Sequence, residues 1–289
     1  MAHLLHARTL LILAAAIALT RATGHAQEKI EKELQQESDS YVRDELGVND
    51  ITAPSIAKIL KDFGIFQPIQ LDIIAANPRD AVFDNRLQTS LHFGSLVADG
   101  FMLTIAERPQ DIQEVGRSLI RQSRALGVND RLTRRSKSLF EASDKGDWQS
   151  MRQELIKTQD DVEKSMLDLH DEQMAHMISL GGWLRGFQLA ANSCAVKYSA
   201  DRAALLGRAE IMDYYLDRLN TLHPRLKKTE FVSTFTARLK DLLALTASTA
   251  GHPGEADVKK MRDLANEIEA VALGPVDSDG KILPKGPSL

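Results

Sequence analysis

The sequence predicts an all-α fold, a helical bundle of antiparallel helical hairpins around two long central helices. Three observations predict it. Aromatic residues make up only 5% of the chain, whereas Leu, Ala, Ile and Met are plentiful. Long β-branched runs with period-two alternation, the mark of half-buried strands, are missing. Apolar seams recur instead at helical spacing, separated by short corners of Gly, Pro, Asn and Asp.

The chain opens with the layout of a secretory signal. Residues 1–8 contain Arg8 and no acid, and residues 10–19 (LLILAAAIAL) are an unbroken apolar run. Gly24-His25-Ala26 then offers small residues around a cleavage point after Ala26. The run is shorter than the roughly 20 residues needed to span a bilayer. The expectation is a signal peptide over 1–26 and a soluble exported product, periplasmic or extracellular. Residues 27–273 are expected to form one all-helical domain. Residues 274–289 hold Gly, Pro, Ser and Asp but few large apolar groups, which predicts a disordered tail.

Within that domain each element follows from spacing and caps. Residues 27–46 read as an exposed helix with thin apolar spacing at Ile30, Leu34 and Tyr41. It ends at Leu46-Gly47-Val48-Asn49-Asp50, where Gly47 suits a left-handed C-cap, and the same five residues recur at 126–130. Short helices are expected at 55–63 and 69–76, with Gly64 and Pro68 between them. Asn77-Pro78 opens a long helix over 79–107 that stops before Pro109. Helices at 109–126 and 131–143 follow. Lys145-Gly146-Asp147 makes a turn with Asp147 as N-cap. A second long helix is expected from 148 to about 198, with Gly181-Gly182 as the place for a kink. Helices at 203–206, 210–222, 229–246 and 255–272 complete the chain.

Composition excludes several function classes. The formal charge is −4, and loss of Arg8 and Arg21 with the signal takes it to about −6. That balance argues against nucleic acid and anionic membranes as partners, which want clustered Lys and Arg. The basic run 131–137, with Arg124 nearby, reads as a solvated helix face balanced by Glu141 and Asp144. Cys194 is the single cysteine, so no disulfide forms within the chain, and its place in an apolar seam makes it a small buried hydrophobe. Nucleophile-elbow and phosphate-cradling glycine motifs do not occur, and no cofactor is expected.

The two long helices carry the candidate site. The helix at 79–107 is apolar almost all round from Leu91 to Ala106, so it should be buried on every side. Inside it lies Asp99, with Ser95, His92 and Gln88 on the same face. A lone buried carboxylate is costly and needs a partner. Arg185 of the second helix is the natural one. It sits in the run Gly181-Gly182-Trp183-Leu184-Arg185-Gly186-Phe187. Each interior glycine costs about 1 kcal/mol relative to alanine. Close approach of another backbone, with Gly182 and Gly186 facing Gly94 and Ala98, explains them; so does a ligand on bare backbone, or a kink.

Two readings of this region compete. In one, the helices pack closely and Asp99 pairs with Arg185. In the other, a pocket is floored by the glycines and walled by Trp183 and Phe187, with Asp99, His92 and Arg185 as its polar groups. Separately, Asp168, Glu172 and His176 follow one another at four-residue spacing, which makes Glu172 and His176 candidate metal ligands. The bland alternative is a solvated acid–histidine pair. The resulting expectation is an exported helical binding or scaffold protein without catalytic activity, its partner an unidentified protein or small molecule. The alternatives are a periplasmic small-molecule or metal-binding bundle with a pocket near Asp99, Trp183 and Arg185, and a helical hydrolase or lyase using Asp99 and the histidines.

Overall fold

A computed structural model describes residues 63–67 and 69–284, leaving out the side chains of 63, 64, 129–136, 159, 163 and 167. The expected signal, the helix at 27–46, the first LGVND corner and nearly all of the helix at 55–63 lie outside the described residues, as do the side chains of most of the basic run. Among the described residues the fold is all-α, a helical bundle whose only extended pairing is one isolated bridge, Val276 with Ile282.

A 3-10 turn at Phe63–Phe66 leads to α1 (Leu71–Ala75), α2 (Arg86–Ile105), α3 (Pro109–Leu126), α4 (Asn129–Asp144) and α5 (Trp148–Asp168). There follow α6 (Glu172–Val196), α7 (Ala200–Ala204), α8 (Ala209–Asn220), α9 (Pro224–Lys227), α10 (Glu230–Ser248) and α11 (Glu255–Ala272). Helix α2 is buried from Leu87 to Thr104 without interruption, and α6 is buried over most of its length. The two are each other's principal partner; α3 and α5 also cover α2, and α11, α5 and α8 cover α6. Among the described residues no helix is long and apolar enough to cross a membrane.

The glycines explain how closely α2 and α6 meet. A Cβ on Gly94 would lie 1.8 Å from the Ile178 carbonyl oxygen and 2.6 Å from the Gly182 nitrogen. One on Gly181 would lie 2.0 Å from the Leu91 carbonyl oxygen. Backbone touches backbone here, which only glycine permits. Of the three explanations for these residues, close approach is the one the structure displays at Gly94 and Gly181.

Three of the differences from expectation exceed a helical turn. Helix α2 begins at Arg86, not 79, because Asn85 is its N-cap and accepts from the Leu87 amide at 2.9 Å. The Asn77 side chain, read as an opening cap, is spent on Asp99 and Ser95 instead. The helix expected over 148–198 is two helices, broken at 169–171 and not at Gly181-Gly182. His170 adopts φ 55°, and the Asp171 amide donates to the Met166 carbonyl at 2.8 Å, a left-handed C-cap that satisfies an otherwise orphaned carbonyl. Asp171 is further held by Arg86 at 2.8 Å. Finally, residues 274–284 are ordered. Asp277 Oδ1 accepts from the amides of Asp279 and Lys281, the Phe231 amide at the start of α10 donates to the Gly280 carbonyl, and the Ile282 amide donates to the Glu230 carboxylate. Backbone hydrogen bonds order this segment, so apolar patterning gives no warning of it.

Candidate functional site

Asp99 projects from the middle of α2 and is 0% exposed. Arg185, from α6, is 2% exposed and donates through Nε to Asp99 Oδ1 at 2.7 Å. The expected pair therefore exists, and it is the centre of a larger network. Arg185 Nη2 donates to the Ile73 carbonyl at 2.8 Å, and Nη1 donates to Gln188 Oε1 at 2.6 Å. Nη1 also lies 3.6 Å from Glu269 Oε1 of α11. Asn77 Nδ2 donates to Asp99 Oδ2 at 2.6 Å and to Ser95 Oγ at 3.1 Å, and Ser95 in turn donates to Glu269 Oε1 at 3.1 Å. Gln188 Nε2 and Asn192 Nδ2 converge on Asn266 Oδ1 at 2.9 and 3.0 Å. One guanidinium thus ties α1, α2, α6 and α11 together.

Burial dominates the electrostatics. It pushes Asp99 above the usual carboxylate range, and the Arg185 charge and the hydrogen bonds from Arg185 and Asn77 offset this only in part. Glu269 is raised by burial too, with Arg185 opposing and Asp99 reinforcing. Burial alone would lower Arg185, but Asp99 and Glu269 outweigh it and hold the guanidinium pKa above its ordinary value.

The network surfaces at a cleft of about 310 Å³ between the segment 73–78, α6 and α11. Its polar floor is Asn77, Arg185, Gln188, Asn266 and Glu269; Ile73, Pro78, Leu273 and Pro275 belong to its apolar wall. Gln88, one turn before His92 on α2, steadies the far side by donating to the Ala272 and Gly274 carbonyls.

The structure brings together only part of the expected pocket. Asp99 and Arg185 meet below the cleft. Trp183 and Phe187 are not among its lining. They leave α6 on another side, where Trp183 stacks at 5.5 Å on Phe187 and at 5.6 Å on Tyr215 of α8. The reason is helical phase: positions 185, 188 and 192 share a face, and 183 and 187 share a different one. His92 is fully buried beside Phe83, and neither ring nitrogen finds a hydrogen bond of good geometry. Burial and the nearby Arg185 lower its pKa to about 4, although the Pro78 carbonyl and Gln122 pull the other way. It is a neutral core histidine.

Glu172 and His176 gather no further ligand among the described residues. Among the described residues no cluster of His, Cys, Asp and Glu is placed to hold a metal ion. The break at His170 takes Asp168 out of the helix that carries Glu172 and His176. His176 lies edge-on to Tyr214, with the tyrosine hydroxyl 3.3 Å from Nδ1, and burial lowers its pKa to about 4. Cys194 is buried, which pushes its thiol pKa up.

Sequence reasoning missed Glu269, Asn77, Gln188 and Asn266. For Glu269 a signal exists. It is four residues after Ala265 and three before Ala272, inside the apolar stripe of α11, where a carboxylate is out of place. Comparison with protein-family models, curated proteins and solved structures returns no match for this chain.

Proposed function

We propose that this chain is an exported, non-catalytic binding protein whose ligand is a small molecule seated in the cleft above Arg185. We read the bundle as antiparallel hairpins around α2 and α6, with the amino-terminal signal layout directing it to the periplasm or beyond. The observation that carries the binding reading is the cleft itself: fixed polar groups converge on its floor beneath an apolar wall, which is the usual make-up of a small-molecule site. The floor is preorganised, since Arg185, Gln188 and Asn266 are held by hydrogen bonds of 2.6–2.9 Å to one another and to Asp99. A reaction is not favoured there. Among the described residues the lining offers no Ser, Thr, Cys, His, Lys or Tyr to serve as nucleophile or proton carrier beside Glu269.

Native mass spectrometry of the protein purified from its exported fraction tests this. The expected result is a retained small molecule of defined mass, lost when Gln188→Leu or Asn266→Leu disrupts the floor. A protein that carries nothing, and whose melting point no small polar compound shifts, overturns the reading.

A further inference from the structure

Among the described residues the network beneath the cleft is short of one positive charge. Arg185 faces two carboxyl groups, Asp99 at 2.7 Å and Glu269 at 3.6 Å. The next cation that acts on Asp99, Arg79, is engaged by Glu114 at 2.7 Å and Asp111 at 3.9 Å. The three buried groups therefore hold one surplus negative charge or one proton that water would not have left there. Arg185 has little capacity to spare for an anionic ligand, because its five N–H groups face Asp99 twice, Gln188, the Ile73 carbonyl and, at 3.6 Å, Glu269.

The groups left over at the cleft are acceptors. Glu269 Oε1 is taken by Ser95 and Arg185, and no hydrogen bond of the described residues reaches Oε2. Asn77 is 3% exposed and lines the same cleft, yet its Oδ1 meets no donor. In this orientation its Nδ2 donates to both Asp99 and Ser95, whereas a flipped amide would turn its oxygen onto an ionised Asp99. An unfilled buried acceptor beside an uncompensated carboxylate calls for a charged donor.

We propose that the cleft takes a compact primary ammonium group, which pairs with Glu269 beside the unfilled Asn77 Oδ1. This rests on the binding reading above and names its ligand class. A hard metal cation fits poorly, because one carboxylate and one amide oxygen are far from the six to eight oxygens that calcium takes. The ammonium belongs either to an amine or to an amino acid; Asn266, whose Nδ2 makes no hydrogen bond to the described residues, is placed for the carboxylate of the latter.

Calorimetric titration of the exported protein at low ionic strength, with four probes, tests this. Butylammonium and 4-aminobutanoate are expected to bind at one site. Tetramethylammonium, which has the charge but no N–H, should bind about tenfold more weakly or worse, and butanoate should not bind. Glu269→Gln, which keeps the shape and removes the charge, should weaken the ammonium probes about tenfold or more. The stronger of the first two probes tells an amine from an amino acid, and either supports the proposal. Butanoate or tetramethylammonium binding as well as butylammonium overturns it, as does undiminished binding to Glu269→Gln. If that variant does not fold, the probe ranking on the unaltered protein decides. Failure of both ammonium probes overturns the ammonium inference alone when native mass spectrometry still finds a retained ligand of another class, and the binding reading with it when nothing is retained.

Discussion

Replacing Arg185 by methionine removes the cation on which the whole network turns while roughly keeping side-chain length. Asp99 and Glu269 would then face each other's charge at 0% and 6% exposure with only Asn77 and Ser95 as donors. Stripping one partner from a buried ion pair costs about 3–5 kcal/mol, chiefly the penalty of the charge left behind. The variant should lose that much at pH 7. The loss has a diagnostic pH dependence. Burial already holds both carboxyls above their ordinary pKa, and without Arg185 they rise further. A carboxyl raised by folding favours the folded state fully below its unfolded pKa, and that contribution fades as pH climbs through the folded value. Lowering the pH from 7 to 5.5 should therefore return stability to the variant relative to wild type, by at most about 1.4 kcal/mol per pH unit for each carboxyl. His92 adds to this return with the same sign, because Arg185 is one of the groups that depress its pKa. Urea unfolding of both proteins at the two pH values supplies the numbers. A loss below about 1 kcal/mol, or an equal loss at both pH values, would refute the assignment of Arg185 as the counter-ion of two buried carboxyls.

Three further outcomes follow from the same coordinates. Asp99→Ala should cost about 3 kcal/mol or more, whereas Asp99→Asn should cost about 1–2 kcal/mol, since Asn keeps an acceptor for Arg185 and Glu269 remains as counter-charge; equal thermal melts for the two variants would contradict this. Gly94→Ala has no room for its methyl against the Ile178 carbonyl and Gly182 amide and should destabilise by about 3 kcal/mol, a result that an unchanged melting point would exclude. His92 is neutral when folded, with a pKa of about 4 against 6.5 when unfolded. Its contribution to stability is full above pH 6.5 and falls as the pH drops toward 4, so His92→Gln should lose about 2 kcal/mol less than wild type between pH 7 and pH 5, measured by denaturant titration.

The fold was legible wherever it rests on periodicity and caps. Pro109, Gly127 and Gly146 mark helix ends in the sequence and do so in the structure, with Gly127 and Gly146 at φ 80° and 64°. Asp147 caps α5 as expected, accepting from the Ser150 amide at 3.0 Å. The misreadings share a physical cause, which is that tertiary contacts chose between local options of similar energy. Asn77-Pro78 and Asn85 both offer an N-cap, and Asp99 claims the first. His170 ends α5 where a glycine would have announced the break, and an isolated left-handed histidine leaves no pattern in sequence. At the site, a buried acid demanded a cation and Arg185 supplied it. Its second carboxyl and the amides around it come from elements far apart in the chain, and neither spacing nor composition links positions 77, 188 and 269.

The position of the network bears on its purpose. A buried ion pair contributes little to net stability, and replacing one with well-packed apolar side chains is often neutral or stabilising by about 1–4 kcal/mol. Helices α2 and α6 already meet along a long apolar contact, with Leu91, Leu96, Met177, Leu180 and Leu184 all buried, so their association does not depend on Asp99 and Arg185. What the guanidinium does that no apolar group can is hold the Ile73 carbonyl, Gln188 and two carboxyls in one fixed arrangement at the base of an open cleft. Such an arrangement sets the donors and acceptors that a ligand meets before it arrives, which lowers the ordering cost of binding. The triple variant Asp99→Leu, Arg185→Met, Glu269→Leu separates the two roles. It should fold with stability close to wild type, because every charge has left together, and it should hold no ligand in the cleft. A variant that is severely destabilised, or that still binds, would show that the network serves the core and not the cleft.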